Sequence, residues 1–144
     1  MYKEGKIRVL ALGLIRDTNN RTFLSEGYDP VKKDKFYRAL GGGVEFGETS
    51  LEALQREFQE ELQAELTNIR YLACLENIFT FQGNPGHEII QLYQCDFADP
   101  KFYQQETIAF NEGEREKTAL WMDIKTLTSG DVRLVPEGFV EYLG

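Results

Sequence analysis

The 144-residue chain has the length of one domain, and its 42% hydrophobic and 28% charged residues are the balance of a globular protein. Its formal net charge is −8, and no basic patch of the kind that nucleic-acid binding needs is visible. No apolar stretch approaches the roughly 18 to 20 residues that span a bilayer. We therefore expect one domain over residues 1–144, located in the cytoplasm, without nucleic-acid or membrane partners.

The N-terminal third predicts strands. Residues 6–16 form a nearly continuous run of branched aliphatics without a cleavage site behind it, which favours a buried first strand over a signal peptide. Residues 22–25 predict a short return strand, and 36–40 another ordered stretch. The polar segment 26–35, which contains Gly27, Asp29 and Pro30, predicts a loop.

A glycine-rich loop then leads into an amphipathic helix. Apolar residues recur there on one helical face, and Thr49 or Ser50 can cap its start; the face consists of Leu51, Leu54, Phe58 and Leu62. Residues 69–81 and 88–97 predict a hairpin joined by the segment QGNPGH, and 104–118 an acidic loop. A short strand at ALWMDI and short helices after residue 126 follow. This order predicts a mixed sheet in an α/β sandwich.

Three carboxylates cluster on the predicted helix. Glu57, Glu60 and Glu61 fall within an arc of about 100°, and residues 49–66 hold five glutamates but only one basic residue, Arg56. Such carboxylates repel each other and raise each other's pKa values, so the pattern indicates a bound cation. Carboxylate oxygens suit Mg²⁺ or Mn²⁺, and the scarcity of Cys and His disfavours zinc. Arg56 can pair with Glu52 or Glu60 and so orient a ligand.

These residues belong to one ordered string. Gly42 is followed after five residues by Glu48, after seven more by Arg56-Glu57, and then by Glu60-Glu61. The string resembles the Nudix box, G-x5-E-x7-R-E-U-x-E-E-x-G-U, over Gly42–Ala64. The resemblance implies an α/β/α sandwich, dependence on Mg²⁺ or Mn²⁺, and hydrolysis of a nucleoside diphosphate linked to another group by attack of water at phosphorus.

The resemblance also implies roles for individual residues. It makes the three helical glutamates and the Gly41 carbonyl metal ligands, and Arg56 a catalytic residue together with Glu57 and Glu60. Contacts to the substrate are expected from Gly42, Gly43 and Glu48. Family members often add an acidic residue from a late loop. Among Glu112, Glu114 and Glu116 we select Glu116, because it lies five residues before Trp121 at the start of the next strand.

The chain departs from the family pattern at the end of the box. Gln63 stands where the family has glycine, and Ala64 where it has a larger apolar residue. A glycine at that place eases the helix exit because it tolerates the left-handed conformation. We therefore expect that the helix runs on towards Leu66. The substitution removes no metal ligand.

Several residues outside the box are weaker candidates. His87 can touch a substrate phosphate or base, although a lone histidine beside a turn is more often structural. A nucleobase can stack on some of five aromatic residues, which otherwise belong to the core: Tyr28, Phe36, Tyr37, Phe79 and Phe81. Cys74 and Cys95 lie in apolar, strand-like segments and are predicted to be buried, reduced thiols.

The sequence leaves the group linked to the nucleoside diphosphate open. Nucleoside triphosphates, nucleotide sugars and related diphosphates all remain candidates, and so does a homodimer. Two other classes are considered. A prenyl-diphosphate isomerase on the same fold would need Cys74 or Cys95 in the pocket. A non-catalytic nucleotide-sensing module would bind nucleotide without turnover, but such modules usually lose acids that this chain retains.

Overall fold

Eight strands and two α-helices make up residues 5–143, the part of the chain that the computed structural model describes. The elements in chain order are β1 (Ile7–Leu14), β2 (Arg21–Asp29), β3 (Asp34–Arg38), β4 (Leu40–Gly43), α1 (Ser50–Leu62), β5 (Leu66–Phe81), β6 (Asn84–Phe97), β7 (Thr107–Glu112), β8 (Arg115–Asp123) and α2 (Ile124–Thr128). Short 3₁₀ helices span Pro100–Gln104 and Glu137–Tyr142. No helix among these residues is long and apolar enough to cross a bilayer.

The strands form two four-stranded sheets. The first has the order β4-β1-β6-β5 and is mixed, because β1 runs parallel to β6 and antiparallel to β4. The second has the order β3-β2-β8-β7 and is antiparallel throughout. This architecture confirms the predicted α/β fold with a mixed sheet.

The core lies on both faces of β1. Ala11 packs into a cluster with Leu54 and Phe58 of α1, whereas Leu10 and Leu12 pack into a second cluster beneath α2 and the C-terminal 3₁₀ helix. Alternate residues of a strand point to opposite faces, so burial on both faces explains the continuous apolar run in the sequence. The first sheet therefore lies between helical layers.

Helix α1 begins as predicted and ends earlier than predicted. Thr49 and Glu52 form a reciprocal capping box, with hydrogen bonds of 3.1 and 2.9 Å. The expected run towards Leu66 is wrong, because Gln63 itself adopts the left-handed conformation with φ 51° and ψ 41°. Its N–H donates to the Gln59 carbonyl at 3.0 Å, so the exit keeps the geometry that glycine usually provides.

Three predicted loops are strands. In the predicted loop 26–35 only residues 30–33 are a turn, because β2 runs to Asp29 and β3 begins at Asp34, and residues 104–118 hold most of the β7–β8 hairpin. The glycine-rich segment 41–43 belongs to β4, at one edge of the first sheet. The β5–β6 turn is shorter than QGNPGH, since Gln82 and Gly83 alone take positive φ and Asn84 already pairs with Phe81. These hairpins are polar and lack the apolar alternation by which strands are recognised.

The two cysteines differ. Cys95 is 1% exposed, as predicted. Cys74 is exposed on the edge strand β5, so its predicted burial is wrong. An edge strand that presents one face to solvent exposes alternate residues even within an apolar segment. Trp121 also lies in the core, 5% exposed.

Candidate active site

The box carboxylates lie on the C-terminal half of α1, beside the glycine strand β4. Glu57 is 16% exposed and packs against Gly42, where an added Cβ would lie 2.4 Å from the carboxyl carbon of Glu57. Gly41 has φ 148°, and an added Cβ there would lie 1.9 Å from the Ala11 carbonyl oxygen. Gly41 is required because a Cβ there would collide with the β1 backbone, whereas at Gly42 the absent side chain leaves the space that the Glu57 carboxylate occupies against β4.

Arg56 holds this arrangement together. Its Nε and Nη2 donate to the two oxygens of Glu48 at 2.7 and 3.0 Å, and Nη2 also donates to the Gly43 carbonyl at 2.9 Å. Its Nη1 donates to Glu57 at 2.9 Å and to Glu60 at 3.3 Å. The carboxylates raise the pKa of Arg56 further above its ordinary value, Glu48 most strongly.

Both carboxylate oxygens of Glu48 accept hydrogen bonds from the protein. One of its oxygens also accepts from the Glu45 N–H at 3.1 Å, and the hydrogen bond from Arg56 lowers the pKa of Glu48. Because both oxygens have protein donors, we assign Glu48 to positioning Arg56 rather than to contacting substrate. Of the two partners predicted for Arg56, Glu60 is confirmed at 3.3 Å, whereas Glu52 belongs to the capping box.

The carboxyl groups of Glu61 and Glu57 have raised pKa values. Burial, together with the charges of Glu57 and Glu112, raises the pKa of Glu61 to about 8, an effect that Lys117 partly offsets. Burial also raises the pKa of Glu57, against the hydrogen bond from Arg56. A carboxylate that is held away from water beside other carboxylates favours protonation or a bound cation.

The β7–β8 hairpin brings one further acid and one base to this cluster. Phe110 faces Lys117 in the register and Glu112 faces Arg115, so these residues share the face of the hairpin that packs against α1. Asn111 and Glu116 form the intervening pair and lie on the opposite face. Both Glu112 and the predicted Glu116 line the cleft described below, but Glu112 lies on the face of the hairpin towards α1 and is electrostatically coupled to Glu57 and Glu61. Phe110, two residues before Glu112, is the signal that sequence reasoning missed.

The donor set fits a hard divalent cation. Within residues 5–143, no three acidic, histidine or cysteine side chains already converge on one point, because Arg56 holds Glu57 and Glu60. The fit rests on the chemistry of the donors: burial first, and neighbouring carboxylates second, raise the pKa values of Glu57 and Glu61, and a bound cation would offset both effects. Oxygen donors of this kind are those that Mg²⁺ and Mn²⁺ prefer.

The cluster opens into a large cleft between the two sheets. The cleft has a volume of about 1480 Å³ and is lined by Glu57, Glu61 and Glu112, by the β4 glycines, and by Arg8 and Arg38. Of the five aromatic candidates, Phe36, Phe79 and Phe81 form part of its wall, and exposed Tyr28 also borders it. Phe36 of one sheet meets Phe81 of the other edge to face at 5.7 Å. Tyr37 does not line the cleft; its hydroxyl donates a hydrogen bond at 3.1 Å to Glu26, which does.

Arg8, Arg38 and Asn77, which the sequence did not single out, line the cleft, whereas Glu88 is not exposed to it. Glu88, fully buried, accepts from Arg38 at 3.1 Å and from Asn77 at 3.2 Å. Arg8 packs over Gly43, with its Nη2 3.0 Å from the place of an added Cβ. No motif marks these residues, and their proximity depends on strand pairing between distant segments.

The structure does not bring His87 to the carboxylates. In β6 it pairs with Ile7 of β1 and Ile78 of β5, on the face opposite to that of neighbouring Glu88. Glu88 faces the cleft side, so His87 points away from it.

Comparison with known proteins identifies the family. The NUDIX domain matches residues 6–143. No curated protein matches the sequence.

Three solved structures share the fold. The ORF135 protein of E. coli is 20% identical, with coverage of 96% of this chain and 86% of that one and a TM-score of 0.58. A MutT studied from Aliivibrio salmonicida and Vibrio cholerae is 20% identical, with 96% and 97% coverage and a TM-score of 0.61.

A NUDIX hydrolase from Nitrosomonas europaea is 18% identical, with 96% and 86% coverage and a TM-score of 0.60. At these identities the structures show a common fold, and the domain match over nearly the whole chain shows descent. Together with the complete set of box acids around Arg56, this match establishes that the chain belongs to the NUDIX family and is a Nudix-type pyrophosphohydrolase.

Proposed function

We propose that the protein hydrolyses the phosphoanhydride of a nucleoside diphosphate linked to another group, by attack of water at phosphorus and with Mg²⁺ or Mn²⁺ as cofactor. The observation that carries this proposal is the strained carboxylate pair Glu57 and Glu61 in the wall of a cleft with aromatic and cationic residues. A diphosphate carries several negative charges. It can be bound by a cation held at Glu57 and Glu61 together with Arg8 and Arg38 of the same cleft.

The residues divide the work as follows. Glu57, Glu60 and Glu61 would hold the divalent cation, which when bound offsets phosphate charge and favours ionisation of the attacking water. Arg56 fixes the orientation of Glu57 and Glu60 through its hydrogen bonds. Glu112, 48% exposed and electrostatically coupled to Glu61, is the carboxylate that we assign to accept the proton of the attacking water.

The cleft supports a nucleotide as the organic part of the substrate. Phe36, Phe79 and Phe81 offer ring faces or edges to a planar base. The cleft volume exceeds the roughly 300 to 1,000 Å³ of common small-molecule sites. It therefore has room for groups on both sides of a diphosphate. Nucleoside triphosphates and nucleotide sugars are the classes to examine first.

The helix exit and an exposed cysteine support two further parts of the proposal, catalytic turnover and cellular location. Gln63 retains the left-handed helix exit and every box acid is present, which supports turnover over a sensing module that only binds nucleotide. We also propose a cytoplasmic location, since an exposed, unpaired Cys74 is typical of proteins kept in a reducing compartment.

The test is a chromatographic screen for the nucleotide products of cleavage, over nucleoside triphosphates, nucleotide sugars, ADP-ribose and dinucleoside polyphosphates, with Mg²⁺, Mn²⁺ or EDTA. Cleavage should require metal and should be lost in Glu60→Gln, which removes one charge at nearly constant volume. Glu65→Gln is the matched control, because Glu65 is exposed and lies outside the carboxylate cluster. Nucleotide binding without cleavage in any metal would favour the sensing module, and full activity of Glu60→Gln would refute the ligand assignment.

A further inference from the structure

A buried charge pair links the two sheets beneath the cleft. Arg38 of β3 belongs to the second sheet, and its Nη2 donates at 3.1 Å to Oε1 of Glu88 in β6 of the first sheet. The Glu88 side chain is 0% exposed, whereas the Arg38 side chain is 19% exposed and lines the cleft. Asn77 of β5 donates to the same Glu88 oxygen at 3.2 Å. Arg38 is therefore held from below by a carboxylate that a ligand in the cleft does not reach.

Glu88 lies in the middle of a polar row on the first sheet. It pairs with Arg8 of β1 on one side and with Asn77 of β5 on the other, and directly paired residues share a face. Arg8, Asn77 and Arg38 all line the cleft. The row and Arg38 together hold two arginines and one carboxylate, so they contribute positive charge to the cleft of a chain whose net charge is −8.

This positive charge begins beside the box carboxylates. Glu57 packs against Gly42 on one face of the edge strand β4, and Arg8 lies over Gly43 on the other face. The Cα atoms of successive residues are about 3.8 Å apart, and neither glycine has a side chain that would separate the two groups. A ligand with linked phosphates can therefore contact a cation at the carboxylates with one phosphate and the arginines with the next.

Stability alone does not explain a carboxylate that is buried at this place. Two charges that leave water lose their hydration, and apolar residues of similar volume in place of a buried ion pair often leave a protein equally stable or more stable. A guanidinium has five N–H donors in a rigid fork, so it can bond a carboxylate and a phosphate at the same time. A carboxylate that already orders the long arginine side chain reduces the conformational entropy that is lost when the ligand binds.

We propose that Glu88 is a positioning residue, which holds the guanidinium of Arg38 in the cleft wall so that it binds a phosphate of the substrate next to the cation site. The identity of this ligand rests on the proposed function. Glu88 acts through Arg38 and does not contact substrate, because its side chain is fully buried.

Two substitutions of Glu88 separate the position of its oxygen from its charge. The hydrogen bonds from Arg38 and Asn77 both end on Oε1, so Glu88→Gln can keep them through its carbonyl oxygen while it removes the charge. Glu88→Asp keeps the charge but withdraws the oxygen by one methylene. Isothermal titration calorimetry with inorganic pyrophosphate and Mg²⁺ measures the effect. Glu88→Asp should raise Kd about tenfold, and Glu88→Gln less than about threefold.

The ion pair of Arg21 and Asp17 provides a matched control. Its arginine is likewise 19% exposed and its carboxylate 4%, and neither residue lines the cleft. Asp17→Glu moves a buried carboxylate by the same single methylene and should leave the Kd of pyrophosphate unchanged. Far-UV circular dichroism must show that each variant is folded. Glu88→Asn, which is equally short and carries no charge, replaces Glu88→Asp if the shorter acid does not fold.

A double-mutant cycle tests whether Glu88 acts through Arg38. Arg38→Met should raise the Kd of pyrophosphate at least as far as Glu88→Asp does. Combined with Arg38→Met, Glu88→Asp should raise Kd no further, because the group that it positions is gone. If this double variant does not fold, Arg38→Met with Glu88→Leu replaces the pair by apolar residues and should bind pyrophosphate as weakly as Arg38→Met alone.

Kinetics give a reading that a purely structural role would not produce. On the substrate found in the screen, Glu88→Asp should raise KM by a factor similar to that for Kd and change kcat less than about twofold, because the phosphate is bound before and during the reaction. A wild-type protein that does not bind pyrophosphate at millimolar concentration, or a folded Glu88→Asp protein that binds it as wild type does, would overturn the inference. An equal loss of binding in Glu88→Gln would also overturn it, since charge rather than position would then be the cause.

The binding and cleavage measurements separate this inference from the proposed function. If pyrophosphate binding follows the expected pattern but no substrate is cleaved, the proposed hydrolysis is refuted and the role of Glu88 stands. If substrate is cleaved while the Glu88 variants bind pyrophosphate as wild type does, the role of Glu88 alone is refuted.

Discussion

Arg56 gathers more charged contacts than any other side chain of the box. It donates to Glu48, Glu57 and Glu60 and to the Gly43 carbonyl from three different nitrogens. Lysine supplies one point charge on a flexible stem and cannot reproduce this fork. Since hydrogen bonds to charged groups contribute about 1.5 to 3 kcal/mol each, Arg56→Lys should lose about 1 to 3 kcal/mol of unfolding free energy.

The same substitution should reduce kcat on the substrate found in the screen by at least about tenfold, because Glu57 and Glu60 lose their fixed orientation. Urea denaturation and steady-state kinetics measure the two effects. Arg70→Lys provides the control, since Arg70 is exposed on β5 and donates a hydrogen bond at 2.7 Å to Gln94, which is not part of the carboxylate cluster. Equal kinetics for Arg56→Lys and wild type would show that Arg56 does not orient the ligands.

Glu112 and Glu116 form a matched pair for testing the catalytic base. They lie four residues apart on one hairpin but on opposite faces, and Glu112 alone is coupled to Glu57 and Glu61. Glu112→Gln should lower kcat by about 10² to 10⁴, the usual contribution of a general base, with little change in KM. Glu116→Gln should change kcat less than about twofold. The reverse order would return the role to Glu116.

Among individual residues, the sequence predicts the proximity of those that lie on the same helix or strand. Arg56 and the three helical glutamates were predictable because helical periodicity places them together. Glu112, Lys117 and Glu88 were not, because their positions depend on strand register. A shift of one residue in register would exchange Glu112 and Glu116 between the two faces.

Helix α1 ends at a residue that is unusual for its conformation. Gln63 has φ 51°, where a residue with a side chain costs about 1 to 2 kcal/mol relative to glycine. Gln63→Gly relieves this strain. It also lowers the free energy of unfolding by up to about 1 kcal/mol, because glycine gives the unfolded chain greater conformational freedom. The net effect should be a rise in Tm of about 2 °C. Gln55→Gly, at an exposed position inside the helix, should instead destabilise by about 1 kcal/mol. A lower Tm for Gln63→Gly would show that the left-handed exit carries no strain.

The tips of two hairpins are joined by Asp29. Its carboxylate accepts from Val31 at 2.9 Å and Lys32 at 3.3 Å within the β2–β3 turn, and from Gln82 at 3.1 Å in the β5–β6 turn. Lys32 adds a bond to the Thr80 carbonyl at 2.8 Å. Although desolvation opposes ionisation, the three backbone N–H groups lower the pKa of Asp29.

A lowered pKa in the folded state means that Asp29 stabilises the fold above the unfolded pKa of about 3.9 and loses this contribution as the pH falls through the folded value. Asp29→Asn should therefore unfold at lower urea than wild type at pH 6. The difference between the two proteins should shrink as the pH falls below about 4. A difference that stays constant down to about pH 2 would exclude the charge of Asp29 as its cause.

Among whole elements, those with a strong period were predictable. The capped helix and the buried β1 follow from apolar spacing, whereas β3 and β7 carry polar residues on faces that meet solvent. Pairing with a neighbouring strand, rather than local pattern, makes these segments strands. The homologous fold was predictable because the box spacing is specific to one family.

The molecule as a whole combines a net charge of −8 with a carboxylate cluster that Arg56 and Lys117 offset in part. A divalent cation that binds the folded state alone stabilises it by about 2.7 kcal/mol at a hundredfold excess over its Kd. Saturating Mg²⁺ should therefore raise Tm by roughly 5 to 10 °C, and EDTA should reverse the rise.

Glu61→Gln removes one repelling carboxylate, so it should melt higher than wild type without metal and gain less from Mg²⁺. Glu114→Gln, in the exposed β7–β8 turn, should behave as wild type. If NaCl at equal ionic strength raised Tm as far as Mg²⁺ does, the gain would reflect screening of the net charge instead of a bound cation.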